Sequence, residues 1–327
     1  MIESKGSQAY QGTYSETRID LSIVIPLLNE EGSIKPLWLS LRDVLEGLGK
    51  EYEVVFVDDG SRDSSFDILK SVYEEDPQHI RVIQFRRNFG KTAALAAGFK
   101  QTRGDVVITM DADLQDDPAE IPKLLAKLDE DCDLVSAWRY KRQDPISKTF
   151  PSRIFNLVVS GLTGVRSHDL NCGFKAYRRE VVQDLKLYGE LHRFVPVLAH
   201  WRGYRVSEVQ VVHHPRKYGK SKYGVERMGR GFLDFLMVLF LTYYLKRPIH
   251  FFGTIGALLF LAGFGIGLYL TWLWVFGGGI GQRPILFVCI LLMVVGVQMA
   301  SIGLLGEMIR NFAYEAEEEY SIRRLLS

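Results

Sequence analysis

Four carboxylates crowd into Thr109-Met110-Asp111-Ala112-Asp113-Leu114-Gln115-Asp116-Asp117-Pro118, directly after the apolar run Val106-Val107-Ile108. The apolar run predicts a buried strand and Pro118 the start of a helix. The acids therefore gather at the carboxyl end of a strand, where open α/β sheets bind their ligands. Asp111 and Asp113 are two residues apart, a spacing that on a strand puts both on one face. Oxygen donors so placed suit a hard divalent cation that keeps positions open for substrate phosphates. Asp116 and Asp117 have a plainer reading, as caps and dipole partners of the helix that follows.

The elements that must carry this loop are legible in the hydrophobic pattern. Residues 21–26, 52–57, 81–85, 106–108 and 134–137 are short apolar runs with helical segments between them. That alternation predicts a mostly parallel sheet covered by helices. Each run stops in polar residues: Asn29-Glu30-Glu31, read as the cap of the first helix; Asp58-Asp59-Gly60-Ser61; Arg86-Arg87-Asn88-Phe89-Gly90-Lys91; the acidic stretch; and Trp138-Arg139. Several such ends on one sheet edge would line a crevice. No G-x-G-x-x-G follows the first strand and no G-x-x-x-x-G-K-[ST] occurs, so a phosphate would be held by a cation and side chains. Beyond Tyr140 the pattern loosens into a polar loop (141–148), a helix near 152–162, the segment 167–177, a helix over 191–201 and an edge strand over 205–212. A basic run from His213 to Tyr223 follows. The adjacent His213 and His214 would face opposite ways on a strand, which argues for packing and against a metal pair.

With 327 residues and a formal charge of +1, the chain offers no global field for nucleic acid. Its three cysteines, Cys132, Cys172 and Cys289, share no metal-ligand spacing, as suits free thiols in a reducing compartment. Residues 1–20 read as a polar leader without a signal-peptide core. Residues 249–276 and 285–305 have no formally charged side chain, and each reaches the roughly 20 residues that span a bilayer. The short loop between them predicts a transmembrane helical hairpin over 248–306, preceded by an interfacial helix over 229–247 and followed by a tail over 307–327. Lys246, Arg247, Arg310, Arg323 and Arg324 lie outside the two spans, against a lone Arg283 between them. The positive-inside bias then places both termini and the domain over 21–228 in the cytoplasm, as a multi-pass protein of the inner (plasma) membrane. Trp272 and Trp274 are expected at the membrane boundary. Gly253, Gly256, Gly263, Gly265 and Gly267 form a small-residue stripe for the second span or for a homo-oligomer.

Six motifs in order give these pieces a common frame: Val24-Ile25-Pro26-x-x-Asn29-Glu30-Glu31, Val57-Asp58-Asp59-Gly60-Ser61, Arg87-Asn88-Phe89-Gly90-Lys91, Asp111-Ala112-Asp113-Leu114-Gln115-Asp116, Asp169-x-x-Cys172-Gly173-Phe174-Lys175 and Gly219-Lys220-Ser221-Lys222-Tyr223. With them the chain resembles the polyprenyl-phosphate glycosyltransferases, a branch of glycosyltransferase family 2 with the Rossmann-like GT-A fold. The membrane hairpin is similar to that of the bactoprenol-phosphate glucosyltransferase subgroup. The resemblance implies that Pro26, Glu30 and Asp58 border the nucleoside, with Lys91 close by. It implies that Asp111, Asp113 and Gln115 ligate Mg²⁺ or Mn²⁺, and that Arg139 and Arg153 reach phosphates across the site. Arg216, Lys217, Lys220 and Lys222 are the cations expected at the lipid phosphate.

The implied reaction is an inverting transfer of a sugar, expected to be glucose from UDP-glucose, onto a membrane polyprenyl phosphate of the undecaprenyl type. A phosphate monoester is already largely anionic at neutral pH, so a strong general base is less needed than for a hydroxyl acceptor. Neutralising the leaving diphosphate is the harder task. Asp169 is expected to act as a base, to orient the acceptor, to contact the sugar or to cap a turn. Mannose, an amino-arabinose derivative or an N-acetylhexosamine are the alternative sugars. A processive polysaccharide synthase fits less well, since no Gln-x-x-Arg-Trp motif and only one hairpin are present. A non-enzymatic nucleotide-sugar scaffold would have no need for both the Asp-x-Asp-x-Gln set and the basic stretch.

Overall fold

The computed structural model describes residues 18–139, 165, 168–189, 191–215, 248–277 and 284–314. Most of the leader, the loop over 141–148 and the helices expected over 152–162 and 229–247 lie outside the described residues. Contacts divide the chain into two compact units, 1–221 and 222–327.

The first unit runs β1 (Leu21–Leu27), α1 (Ile34–Gly47), β2 (Tyr52–Asp58), α2 (Ser65–Glu75), β3 (Ile80–Gln84), α3 (Lys91–Gln101) and β4 (Val106–Thr109). A 3-10 turn (Pro118–Glu120), α4 (Ile121–Asp129), β5 (Leu134–Arg139), β6 (Lys175–Arg178) and α5 (Arg179–Asp184) follow. A second 3-10 turn (Leu191–Arg193), α6 (Val195–Trp201) and β7 (Val206–Val211) complete it. The strands form one sheet in the order β3-β2-β1-β4-β6-β5-β7. β1 pairs in parallel with β2 and β4, β2 with β3, and β5 with the edge strand β7. β6, which the sequence reading passed over, runs antiparallel between β4 and β5. Its signal is the alternation Cys172-x-Phe174-x-Ala176, all three buried in one core, but the charged Lys175 in its midst hides it.

Helices α1, α2 and α4 cover one face of the sheet, and α3, α5 and α6 the other. In α1 the residues Ile34, Leu37, Trp38, Leu41 and Leu45 recur at helical spacing and are buried. Burying each such large apolar side chain contributes roughly 1.5–3 kcal/mol. The crossovers through α1 and α2 build the sheet to one side of β1, and that through α3 returns to the other. This reversal opens a crevice at the carboxyl ends of β1 and β4. Pro26 lies there. The β1–β4 ladder ends at Val24↔Thr109, with the Met110 N–H donating to the Val24 carbonyl at 3.2 Å. Two residues further on, Pro26 presents its missing N–H where β4 has already left, so no ladder bond is lost.

The second unit is an antiparallel helix pair, α7 (Pro248–Val275) and α8 (Ile285–Tyr314). Ile249–Val275 and Ile285–Ile309 are long and apolar enough to cross a membrane, with mean hydropathies of 2.0 and 2.7. The second helix continues to Tyr314 instead of stopping at 305. A Cβ on Gly256 would stand 2.6 Å from the Gly296 carbonyl oxygen, and one on Gly263 2.9 Å from that of Cys289. Small residues there let the two backbones touch. Towards the second span the stripe is narrower than five glycines. Gly265 has nothing within 4 Å and Gly253 meets only Ile249 of its own helix, whereas Gly256, Gly263 and Gly267 face α8. Two residues of helix turn a side chain by about 200°, which puts Gly263 and Gly265 on opposite faces.

Candidate active site

The loops after β1 and β2 are tied to each other. The Asn29 N–H donates to Ser61 Oγ at 2.8 Å, and Asn29 Oδ1 accepts from the Arg62 N–H at 2.8 Å. The Glu30 N–H donates to Ser65 Oγ at 2.9 Å, and Glu31 Oε2 accepts from the Ser64 N–H at 3.0 Å. Contrary to the cap expected, these bonds tie Asn29, Glu30 and Glu31 to the β2 loop, while the Glu30 carboxylate accepts from Ser33 Oγ at 3.3 Å. Ser33 takes the N-cap position, without a side-chain cap bond. Asn29 adopts φ 53, a left-handed conformation that asparagine tolerates.

Asp58, at the end of β2, is fully buried. Its Oδ1 accepts from the Ser61 N–H at 2.9 Å, while Oδ2 is buried with no hydrogen-bond partner among the described residues. An unsatisfied buried acceptor costs about 1–3 kcal/mol, more when charged, so this oxygen is a ready seat for a ligand's N–H or O–H. The neighbouring Asp59 instead accepts from the Phe89 N–H at 2.7 Å and the Gly90 N–H at 3.0 Å. Burial pushes its carboxyl up despite these bonds. Between the loops Gly60 sits at φ 73, and a Cβ there would lie 2.5 Å from the Arg87 backbone. Only glycine fits that crossing.

β4 ends at Thr109, so Asp111 and Asp113 do not share a strand face as expected. The chain turns at Ala112-Asp113, and Leu114 adopts φ 60. Asp111 is ion-paired with the Lys91 ammonium, which projects from the first turn of α3. Burial pushes the Asp111 carboxyl up, but Lys91, with help from Arg139 and Lys175, holds it below the ordinary range. Asp113 is 7% exposed and its Oδ1 accepts from the Gln115 N–H at 3.2 Å. The Gln115 carboxamide Nε2 donates to the His214 carbonyl at 3.4 Å, and the His214 N–H donates to the Gln115 carbonyl at 2.8 Å. Asp117 accepts from the Ala119 N–H at 2.9 Å, the helix-start role expected of it, and also pairs with His214 Nε2 at 3.0 Å. Burial pushes its carboxyl up, but these bonds to His214 and Ala119 hold it below the ordinary range. Asp116 departs from that role: it is buried, and His213 Nδ1 stands 3.6 Å from its Oδ1.

Across the crevice Arg139 and Asp169 form a fork, Nε to Oδ2 at 2.6 Å and Nη2 to Oδ1 at 2.9 Å. Burial would lower the Arg139 pKa, but the Asp169 bonds prevail and raise it. Both Asp169 oxygens thus serve Arg139, which favours an orienting role over that of a free base. Two residues here had no role assigned from sequence, although Lys175 closes the Asp169-x-x-Cys172-Gly173-Phe174-Lys175 motif. Lys175 is 3% exposed, and its ammonium donates to the Cys172 carbonyl. Burial lowers its pKa. Its sheet register, opposite Thr109 and Ser136, sets it between the strands that lead to Asp111 and Arg139. His192 Nδ1 shares a 2.7 Å hydrogen bond with Thr92 Oγ1, next to Lys91. Burial, with Lys91 and Arg193 nearby, pushes its pKa down to about 3. No spacing in the sequence gives either a role, because their neighbours come from distant strands and helices. Arg153, Arg216, Lys217, Lys220 and Lys222 lie outside the described residues.

Among the described residues, no three His, Cys, Asp or Glu side chains cluster closely enough to hold a metal unaided. The expected set is two carboxylates and one amide oxygen. A carbonyl only accepts, so the Gln115 NH₂ must be the end facing His214, which leaves Oε1 for another partner. The Lys91 ammonium already serves as a stand-in cation on Asp111. Hard oxygens in small number fit a Mg²⁺- or Mn²⁺-like ion that takes its remaining ligands from a substrate.

A family model described as glycosyl transferase family 2 matches residues 22–186. The chain is 38% identical over 314 residues to the dodecaprenyl-phosphate galacturonate synthase of Rhizobium johnstonii, covering 94% of this chain and 93% of the relative. It is 39% identical over 292 residues to the undecaprenyl-phosphate 4-deoxy-4-formamido-L-arabinose transferase of Pseudomonas aeruginosa, covering 88% and 85%. Among solved structures, glucosyl-3-phosphoglycerate synthase from Mycobacterium tuberculosis, in complex with Mn²⁺, UDP and phosphoglyceric acid, superposes with a TM-score of 0.54. That likeness has 19% identity, spans 68% of this chain and 78% of the other, and establishes the GT-A-like fold. The chain belongs to glycosyltransferase family 2, in its polyprenyl-phosphate branch. It is accordingly an enzyme that transfers a sugar to a polyprenyl phosphate.

Proposed function

We propose that the enzyme transfers galacturonate, or a 4-amino-arabinose derivative, from a nucleoside-diphosphate donor to undecaprenyl-type phosphate at the cytoplasmic face of the inner membrane. Glucose, the sugar expected from sequence, gives way because the relatives that span nearly the whole chain are named for galacturonate and formamido-arabinose. Galacturonate comes first, since that relative combines 38% identity with 94% coverage, whereas the formamido-arabinose transferases reach 39% over 88% of the chain or 34% over 94%. UDP is the nucleotide proposed. Both termini are cytoplasmic and the two apolar helices cross the bilayer, as the flanking basic residues favour.

The observation that best supports the reading is Asp111, held ionised by Lys91, Arg139 and Lys175 at the reversal point of the sheet. Asp58 Oδ2 receives the base N–H, Glu30 the ribose hydroxyls, and Pro26 borders the nucleoside. Lys91 moves from Asp111 towards the diphosphate. Asp111, Asp113 and the Gln115 Oε1 would hold Mg²⁺ or Mn²⁺, which when bound neutralises charge on the diphosphate. Arg139, oriented by Asp169, is aimed at a phosphate, for which its planar, permanently charged fork is suited. Arg153 adds to this charge, and Arg216, Lys217, Lys220 and Lys222 receive the lipid phosphate. An oxygen of that phosphate attacks the anomeric carbon, the bond to the diphosphate breaks with inversion, and the nucleoside diphosphate leaves with the electron pair. No proton need be removed from the nucleophile.

The test is a screen of radiolabelled UDP-sugars against undecaprenyl phosphate with the full-length enzyme in detergent. Lipid-linked galacturonate or amino-arabinose product is expected. Label released only to water, or donor binding without turnover for every sugar, would refute the proposal.

A further inference from the structure

The segment after β7 makes three hydrogen bonds with the loop carrying Asp113 and Gln115, one of them part of an isolated bridge, and the chemistry above used only the bond to the Gln115 carboxamide. The His214 N–H donates to the Gln115 carbonyl at 2.8 Å, and an isolated antiparallel bridge joins Asp116 to His213. His214 Nε2 lies 3.0 Å from Asp117 Oδ2, and the His214 carbonyl accepts from Gln115 Nε2 at 3.4 Å. The last contact carries directional information. A glutamine carboxamide can present either its oxygen or its NH₂ to the crevice, and rotation between the two costs little in open solvent. A main-chain carbonyl has no hydrogen to give, so it selects the NH₂ end and turns Oε1 the other way. That carbonyl is itself held from two sides, through its own N–H on Gln115 and through its imidazole on Asp117.

We propose that His214 is a positioning residue for the divalent cation: its carbonyl orients the Gln115 carboxamide oxygen-outward, and its imidazole anchors that carbonyl to the acidic loop through Asp117. The inference rests on the reading of Asp111, Asp113 and Gln115 as cation ligands. His214 itself ligates nothing. Partners of this kind, one bond removed from a metal, fix ligand direction, and removing one typically weakens metal binding by about 10–100-fold.

The test measures Mn²⁺ binding to the full-length enzyme in the presence of saturating UDP, by electron paramagnetic resonance, and UDP binding without metal by calorimetry. His214→Ala is expected to weaken Mn²⁺ about 10-fold. UDP affinity without metal and the far-ultraviolet dichroism should stay as in the wild type. Gln115→Glu supplies the sharper contrast. A carboxylate is by itself the better ligand for a hard cation, but facing the His214 carbonyl it has no donor and meets that oxygen's lone pairs. Weaker Mn²⁺ binding by Gln115→Glu therefore supports orientation by His214, and tighter binding overturns it. Wild-type affinity in His214→Ala also overturns it, while leaving the cation reading intact. If the wild-type enzyme with UDP bound no Mn²⁺, the cation reading and this inference would fall together.

Discussion

Gly173→Ala is the smallest change that reaches the centre of the site. A Cβ at Gly173 would lie 2.7 Å from Asp111 Oδ1 and 2.8 Å from its Cγ and Oδ2. The glycine side of this contact cannot retreat. Cys172 and Phe174 on either side are completely buried, and the Gly173 carbonyl accepts from Thr109 Oγ1 at 2.7 Å. Asp111 must move instead. Reaching an ordinary contact of 3.4 Å from 2.7 Å asks its carboxylate to shift by 0.7 Å, away from the position Lys91 now shares. A displacement approaching 1 Å in a group that positions substrate costs about 100-fold in rate. Because the clash is relieved by one short side chain at a crevice, the folding cost should stay under about 1 kcal/mol, a shift of about 2–4 °C in Tm. Initial-rate assays of sugar transfer, paired with thermal melts, measure both. Activity within threefold of wild type would refute the placement of Asp111 at the donor, and a collapse in Tm would mean that Gly173 serves the fold and not the site.

Asp58→Asn replaces Oδ2, which has no hydrogen-bond partner among the described residues, or its neighbour with an NH₂. The donor KM should rise about 10-fold or more, as for loss of a hydrogen bond to a charged group, with kcat nearly unchanged; an unchanged KM would remove Asp58 from the nucleoside site. His192, whose folded pKa of about 3 lies below its unfolded value, contributes stability that is present above roughly pH 6.5 and is lost as pH falls towards 3. Between those limits it adds up to about 1.4 kcal/mol per pH unit to the acid sensitivity, so denaturant midpoints of His192→Gln at pH 5 and 7 should differ less than those of wild type, and equal differences would contradict the assignment. In the helix pair, Gly256→Val would drive a side chain into the Gly296 carbonyl and lower the melting temperature in nanodiscs, whereas Gly265→Val, with nothing within 4 Å, should be silent. Equal effects of the two would mean that the seam is placed wrongly.

The sequence reading located what local pattern encodes and missed what distant segments impose. The five parallel strands β1 to β5 were legible because apolar runs of strand length stop at polar ends. The acidic loop was found for the right residue types but with the wrong geometry: Thr109 ends the strand, and the loop that follows abuts Gly173 at Asp111 and bonds to His214 at Gln115, neighbours that come from elsewhere in the chain. Asn29, Glu30 and Glu31 looked like a helix cap because capping and loop-to-loop bonding use the same residue types. Their partners, Ser61, Arg62, Ser64 and Ser65, are more than thirty residues away. Lys175, though it closes a motif, and His192 could be given no role, since a buried cation and a buried imidazole acquire meaning only from neighbours that the fold brings in. The glycine stripe divided because helical phase, and not composition, decides which glycine meets a partner.

The decisive assay follows lipid-linked sugar formed by the full-length enzyme from UDP-galacturonate, with and without undecaprenyl phosphate, beside the Asp111→Asn variant. The expected result is product that requires the lipid phosphate and falls at least 100-fold in Asp111→Asn, in keeping with the loss of a group that stabilises the leaving diphosphate. Undiminished, lipid-dependent transfer by Asp111→Asn would contradict the assignment of the reaction to the carboxyl end of β4.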